Sequence, residues 1–192
     1  MNIFVLDVDP VEAALRLYDK HIVKMATESA QILSTVVRVK LGTKGDIRER
    51  RTGELIRGYA YCLSFEKPDQ CGIYLATHIN HKCVKWAGTS FANFSWLLMH
   101  GEAICNIYGN WRGRVHGAQE ALNDCRRMLP LLPFETEGLT PFVLAMPDSL
   151  RIIGDPVEAY RTYYTQYKSH IKRPDYERSW RARYSSRIKT GT

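Results

Sequence analysis

The chain has 192 residues, 45% apolar and 11% aromatic, with 27 Lys+Arg against 20 Asp+Glu and five cysteines. That length and apolar fraction fit one ordinary domain with its own core and exclude an intrinsically disordered chain. No apolar run approaches the roughly 20 residues that cross a bilayer, the first seven residues lack the basic start of a signal peptide, and the odd cysteine count fits reduced thiols in a cytoplasm.

Residues 2–8 are apolar and β-prone, which predicts a strand or an extended segment packed on the core. Asp9-Pro10-Val11-Glu12 reads as a helix start: Asp9 caps, Pro10 occupies the first turn, and Glu12 completes a capping-box-like pattern. The same four residues recur as Asp155-Pro156-Val157-Glu158, a shared capping solution rather than a repeat. From about Pro10 to Val39 there is no internal Gly or Pro, and apolar positions cover most of the circumference, which predicts one long central helix. Residues 42–68 hold three glycines before Leu55 and the charged run Arg48-Glu49-Arg50-Arg51, predicting a flexible excursion with a short helix near Glu54–Leu63.

A second long helix is predicted from about Lys82 to Tyr108, with Trp86, Phe94, Trp96, Leu97 and Ile104 in the core. A third runs from about Ala118 to Met128, ended by Pro130 and Pro133, and the last from Pro156 to about Ile171. Period-two alternation is scarce, so the fold class is mainly α, a compact single-domain helical bundle around the N-terminal helix. Residues 161–192 carry nine Lys/Arg and two acids, the whole net charge of +7, while the other 160 residues balance at 18 against 18. The tail at 172–192 interleaves Arg173, Arg178 and Arg181 with Tyr176, Trp180 and Tyr184, a composition suited to a polyanion, since cations neutralise phosphates and aromatics stack on bases.

His21, Lys24, Glu28, Gln31 and Thr35 share one stripe of the first helix, with Asp19 and Lys20 at its edge. Ionisable groups in register on an otherwise apolar helix are either a solvated face with a Lys24–Glu28 pair or a partly buried site suited to proton transfer. A second polar set, His78, His81, Lys82, Lys85, Asn93 and His100, lies on the next helix region, where Asn93 and His100 are placed to meet the stripe across a groove. Cys62, Cys71, His78, His81 and Cys83 raise the question of zinc, but their spacings match no compact finger signature. Gly-rich phosphate loops, Gly-x-Ser-x-Gly elbows and His-Glu-x-x-His helices are absent, and no cofactor is implied.

Met1-Asn2-Ile3-Phe4-Val5-Leu6-Asp7, Asp19-Lys20-His21-Ile22-Val23-Lys24-Met25, Glu28 and Gln31-Ile32-Leu33-Ser34-Thr35 resemble a widespread family of phage-encoded proteins. His78-Ile79-Asn80-His81, Trp86-Ala87, Thr140-Pro141-Phe142, Ala145-Met146-Pro147-Asp148 and Ala159-Tyr160-Arg161 fit the same pattern, whereas residues 42–76 look like an insertion. The chain also remotely resembles the phage pyrimidine-dimer DNA glycosylase family of endonuclease V. There an Asp-x-His helix carries an essential Glu seven residues after the His, the spacing of His21 and Glu28. That resemblance implies an endonuclease V-like helical scaffold that grips double-stranded DNA and exposes one base. The departures are Asn2, where that family exposes the α-amine of a small residue, and Thr27, where it has Arg before the essential Glu.

The expected activity is modification of a thymine-derived base, similar to that of amino-acid:DNA transferases acting on phosphorylated 5-hydroxymethyluracil. Such chemistry needs a base for the incoming ammonium, cations for the departing phosphate, and an unstacked target. His21 and Glu28 are the candidate bases. Lys24 with Lys85 or Arg112 is expected to hold the anion and Asn93 to orient a substrate. Asp19, Lys20, Gln31, His81, Arg173, Arg178, Trp180 and Arg181 complete the expected DNA and substrate contacts. A free amino acid is the expected second substrate, with no membrane partner. The alternatives are a glycosylase/lyase and a non-enzymatic DNA-binding protein.

Overall fold

The computed structural model describes residues 1–49, 51–64, 71–151 and 154–171. Among these, Ile3 to Leu6 are buried in extended conformation without a strand partner. α1 (Pro10–Leu15) starts as its residues dictate, with the Asp9 carboxylate accepting from the N–H groups of Val11 and Glu12 at 2.8 and 2.9 Å. The long helix expected from Pro10 onward is broken. α2 (Asp19–Leu41) begins only after an extended Tyr18, whose N–H donates to the Tyr164 hydroxyl at 2.8 Å. In a continuous helix that N–H would bond to Ala14 O, which here accepts from Leu17 N–H instead. A tertiary partner thus outcompetes helix propagation at a point with no Gly or Pro.

The excursion is corrected too. In place of a short helix, β1 (Thr43–Arg48) and β2 (Leu55–Cys62) form an antiparallel hairpin with Thr43 opposite Cys62 and Ile47 opposite Ile56. The register shifts once between Gly45 and Ile47, where Gly58 adopts φ +61° and its N–H donates to the Asp46 carboxylate at 2.8 Å. The second long helix is likewise two, α3 (Lys82–Thr89) and α4 (Phe91–Arg112), parted at an extended Ser90. The Ser90 hydroxyl accepts from Asn93 N–H at 3.1 Å, and the carbonyls of Thr136 and Glu137 accept from Phe91 and Ala92, so the new helix start has its donors satisfied. α5 (Gln119–Met128) follows as expected, and α6 (Pro156–Tyr167) starts at the Asp155 cap and gives way to a 3-10 turn at Ser169–Ile171.

The fold is therefore mostly helical with one small sheet. α2 packs against α3, α4, α5 and β2, and α1 lies on α4. Phe94, Trp96, Leu97 and Ile104 of α4 and Trp86 of α3 enter the core as their spacing predicts. No helix among the described residues is long and apolar enough to cross a membrane.

One buried cation joins the hairpin to α2. Arg38 is almost fully buried and donates to the carbonyls of Tyr74 (2.6 Å), Tyr61 (3.0 Å) and Ile73 (3.1 Å). Arg38→Met keeps most of the volume but strips these carbonyls of a charged donor, so a loss of about 3 kcal/mol or more in urea unfolding is expected. A loss below about 1 kcal/mol would show that the hairpin does not depend on this anchor.

Candidate functional site around Glu28

The polar stripe of α2 does not face one open groove, because a different distant segment meets each of its members. Lys24 lies outermost, its side chain 67% exposed, and its Nζ pairs with Glu28 Oε1 at 3.0 Å. Glu28 is turned inward at 12% exposure, and its Oε2 accepts from the main-chain N–H of Asn2 at 2.7 Å. The Asn2 side chain is fixed in turn. Its Nδ2 donates to Ala145 O at 2.7 Å, and its Oδ1 accepts from Ile3 N–H at 2.8 Å and lies 3.1 Å from the Tyr160 hydroxyl. That hydroxyl also contacts Val143 O at 2.8 Å and accepts from Ala145 N–H, and burial pushes its pKa well above the usual range.

His81 joins this group from the α3 side. Its Nδ1 accepts from Cys83 N–H at 3.2 Å, capping α3. Burial holds its pKa below the ordinary imidazole value, helped by the positive charges of the Met1 amino group, His78 and Lys82 and opposed by Glu28. Burial pushes the neighbouring Cys83 thiol up to about 12, so it is not a thiolate nucleophile at neutral pH. Among the described residues no three His, Cys, Asp or Glu side chains group as a metal site requires.

His21 stands one turn before Lys24, buried under α6. Its Nδ1 lies 2.8 Å from the Tyr164 hydroxyl, and its ring stacks on Phe4 at 4.7 Å. Desolvation lowers its pKa to about 4, with Lys24, Lys168 and His170 adding to the effect and Glu28 opposing it. Phe4 adopts φ +42°, a conformation costly for a bulky side chain, and the rings of His21, Tyr163 and Tyr164 enclose it. The rings continue outward from Phe4 to Tyr163 (6.0 Å) and Tyr167 (a further 5.7 Å), with Lys168 Nζ 5.2 Å over Tyr163. Tyr167 is 48% exposed, so aromatic faces and ammonium groups share one surface beside Lys24, a combination suited to bases and phosphates.

The remaining expected residues have varied placements. Gln31 is half-buried beside a cavity, and Thr35 Oγ1 donates to Gln31 O at 2.7 Å and meets the backbone of Thr77. Asp19 is buried at the start of α2, where its carboxylate accepts from Lys20 N–H, and Lys20 is exposed. Lys85 is exposed on a separate cavity shared with Val36, Lys40 and Glu135. Arg112, in the last turn of α4, lies over the Trp111 ring at 3.8 Å.

The expected groove partners Asn93 and His100 have other tasks. Asn93 is fully buried; its amide donates to Trp86 O and Thr140 Oγ1 and accepts from Thr140 N–H, holding the Thr140 turn rather than a substrate. His100 is fully buried with Nδ1 on Pro10 O at 2.9 Å. Arg173, Arg178, Trp180 and Arg181, with the rest of the basic tail, lie outside the described residues.

Sequence reasoning missed Asn2, Phe4, Tyr160 and Tyr164 as partners of the stripe. A lone amide inside an apolar start, and two tyrosines four apart on a capped helix, were the available signals. No family model, curated protein or solved structure matches this chain.

His21 and His100 both stay neutral in the fold down to about 4, against an ordinary 6.5. The unfolded chain therefore binds more protons between those values. Their stabilising contribution is full above about pH 6.5 and is lost as the pH falls towards 4. In His21→Phe, urea unfolding across this window is expected to lose about one proton of the pH slope. An unchanged slope would mean that His21 titrates alike in both states.

Proposed function

We propose that this chain is a phage DNA-modification enzyme that transfers an amine, that of a free amino acid, onto phosphorylated 5-hydroxymethyluracil in double-stranded DNA, with Glu28 as the base. The observation that carries the reading is the Glu28 carboxylate, turned inward yet paired with an exposed, mobile ammonium. One oxygen is fixed by Asn2 N–H at 2.7 Å, and the other is covered only by Lys24, whose long side chain is mostly in solvent. An incoming ammonium can take the place of Lys24 on that oxygen and lose a proton to it. The freed lone pair then forms a C–N bond to the exocyclic methylene of the base while the C–O bond to the phosphoryl group breaks. The phosphate leaves with that electron pair, and the displaced Lys24 is free to stabilise it. The aromatic and cationic surface from Tyr163 to Lys168 supports a nucleic-acid substrate beside this carboxylate.

The assay is mass spectrometry of nucleosides from phosphorylated 5-hydroxymethyluracil DNA incubated with the protein and free amino acids. A mass gain matching one amino acid is expected, reduced about a hundredfold or more by Glu28→Gln. No gain with any amino acid, or full activity in the variant, would overturn the reading. If the variant instead kept both DNA binding and biological function, a non-enzymatic DNA-binding role would be favoured.

One contact favours a second reading, a pyrimidine-dimer glycosylase/lyase. Removal of Met1 would turn the Asn2 nitrogen, already on Glu28, into an α-amine able to attack a sugar C1′ and form an imine with loss of water. Borohydride trapping on dimer-containing and abasic DNA separates the two, because a covalent adduct is expected only of the lyase.

A further inference from the structure

A cavity of about 310 Å³ opens along α2 beside the Glu28 stripe. Gln31 and Arg38 of α2 form one wall and the extended segment around Gly72–Leu75 the facing one, while Arg48 and Glu49 at the end of β1 stand at its edge. Gln31 is three residues beyond Glu28, about 4.5 Å along the helix axis. The volume is at the lower limit of ligand sites, roughly 300–1,000 Å³, so the cavity suits a small metabolite rather than a nucleotide.

Its charges are ordered along its length. The Arg38 guanidinium adds a buried positive charge to the α2 wall. Arg48 is exposed, and one of its nitrogens donates to Gly53 O at 3.1 Å, which leaves the outer edge of the guanidinium for a ligand. The turn beyond β1 is internally bonded: Glu49 N–H donates to Glu54 O at 2.9 Å and Gly53 N–H to Glu49 O at 2.8 Å. The Glu49 carboxylate accepts from Thr52 N–H at 2.6 Å, so it is held in place next to Arg48, where it opposes a multiply charged anion such as phosphate. At the opposite end, past the Gln31 amide, lies the Glu28 carboxylate. A positive region, a guarding acid and a negative end in succession match a ligand with one carboxylate and one ammonium.

We propose that this cavity binds a free α-amino acid, with its carboxylate on Arg48 and its ammonium directed past Gln31 towards Glu28. Naming that ligand the donor of the amine rests on the transfer reading above; binding itself does not. Cys71, half-buried, lines the same cavity and supplies a chemical reporter.

The test is calorimetric titration of the full chain, without DNA, with a panel of free L-amino acids and with inorganic phosphate as control. Saturable binding of at least one amino acid is expected, with none of phosphate. Arg48→Met, an exposed and fold-neutral change, is expected to weaken it about tenfold or more. Alkylation of Cys71, located by peptide mapping, is expected to slow when that amino acid is present. The inference is overturned by the absence of amino-acid binding at millimolar concentration, by equal binding of phosphate, or by binding indifferent to Arg48→Met with Cys71 unprotected. If binding fails while Glu28-dependent transfer to DNA proceeds, only this inference falls; if binding holds while transfer fails, only the transfer reading falls.

Discussion

A carboxylate in the middle of a helix accepting the main-chain N–H of residue 2 is the contact on which the rest of the site depends. An extended start whose next residues are buried must satisfy its backbone without a sheet to pair with. Asn2 does this with its own side chain, which accepts from Ile3 N–H, while Glu28 accepts its N–H. Charge assistance makes the Glu28 bond stronger than a neutral one, and Lys24 compensates part of the cost of turning the carboxylate inward. Through Ala145 O and the Tyr160 hydroxyl the same residue reaches the 143–146 segment and α6. Chain start, α2, a turn and the last helix are thereby held in one register, which is the kind of support a pre-organised site needs.

Solvent then divides a row that looks uniform in sequence. Lys24 is outside, Glu28 at the boundary and His21 inside. Their capacities differ accordingly. His21 is desolvated and surrounded by positive charge, so it is a neutral ring fixed by Tyr164 rather than a cation for phosphate. Lys24 retains its freedom to move, and Glu28 has one oxygen immobilised and one exchangeable. Of the three residues singled out as a catalytic row, the geometry favours an unequal set: one proton acceptor, one mobile cation, one packing element.

Local chemistry was legible in the sequence, and long-range competition was not. The Asp9 and Asp155 caps, the burial of Trp86, Phe94, Trp96, Leu97 and Ile104, and α5 all follow from short-range preferences that no tertiary contact opposes. Both helix breaks escaped because neither Tyr18 nor Ser90 carries a backbone signal. Each break exists because a residue more than forty positions away, Tyr164 in one case and Thr136 in the other, offers a better partner than the next turn. The ionisable members of the site were visible as a periodic row. Asn2 and the tyrosines of α6 were not, since nothing in their own neighbourhood distinguishes a lone amide or two helical tyrosines from ordinary packing.

The hairpin carries the same lesson to the cavity. Its strands are largely exposed, so they lack the apolar alternation that marks a half-buried strand, and glycines with charges read as loop. A two-stranded ribbon of this kind is marginal by itself. It is held from outside: Arg38 donates to Tyr61 O, and the Tyr59 hydroxyl accepts from Ala76 N–H at 2.6 Å. Gly42 permits the sharp exit from α2, because a Cβ there would lie 2.4 Å from Arg38 O. The anchor of the ribbon is thus also a wall of the cavity, and Arg48 and Glu49 stand at the cavity edge because Arg38 draws β2 and the 73–74 backbone onto α2. A stretch that reads as an insertion in one dimension becomes, once docked on a buried guanidinium, the boundary of the cavity beside Glu28.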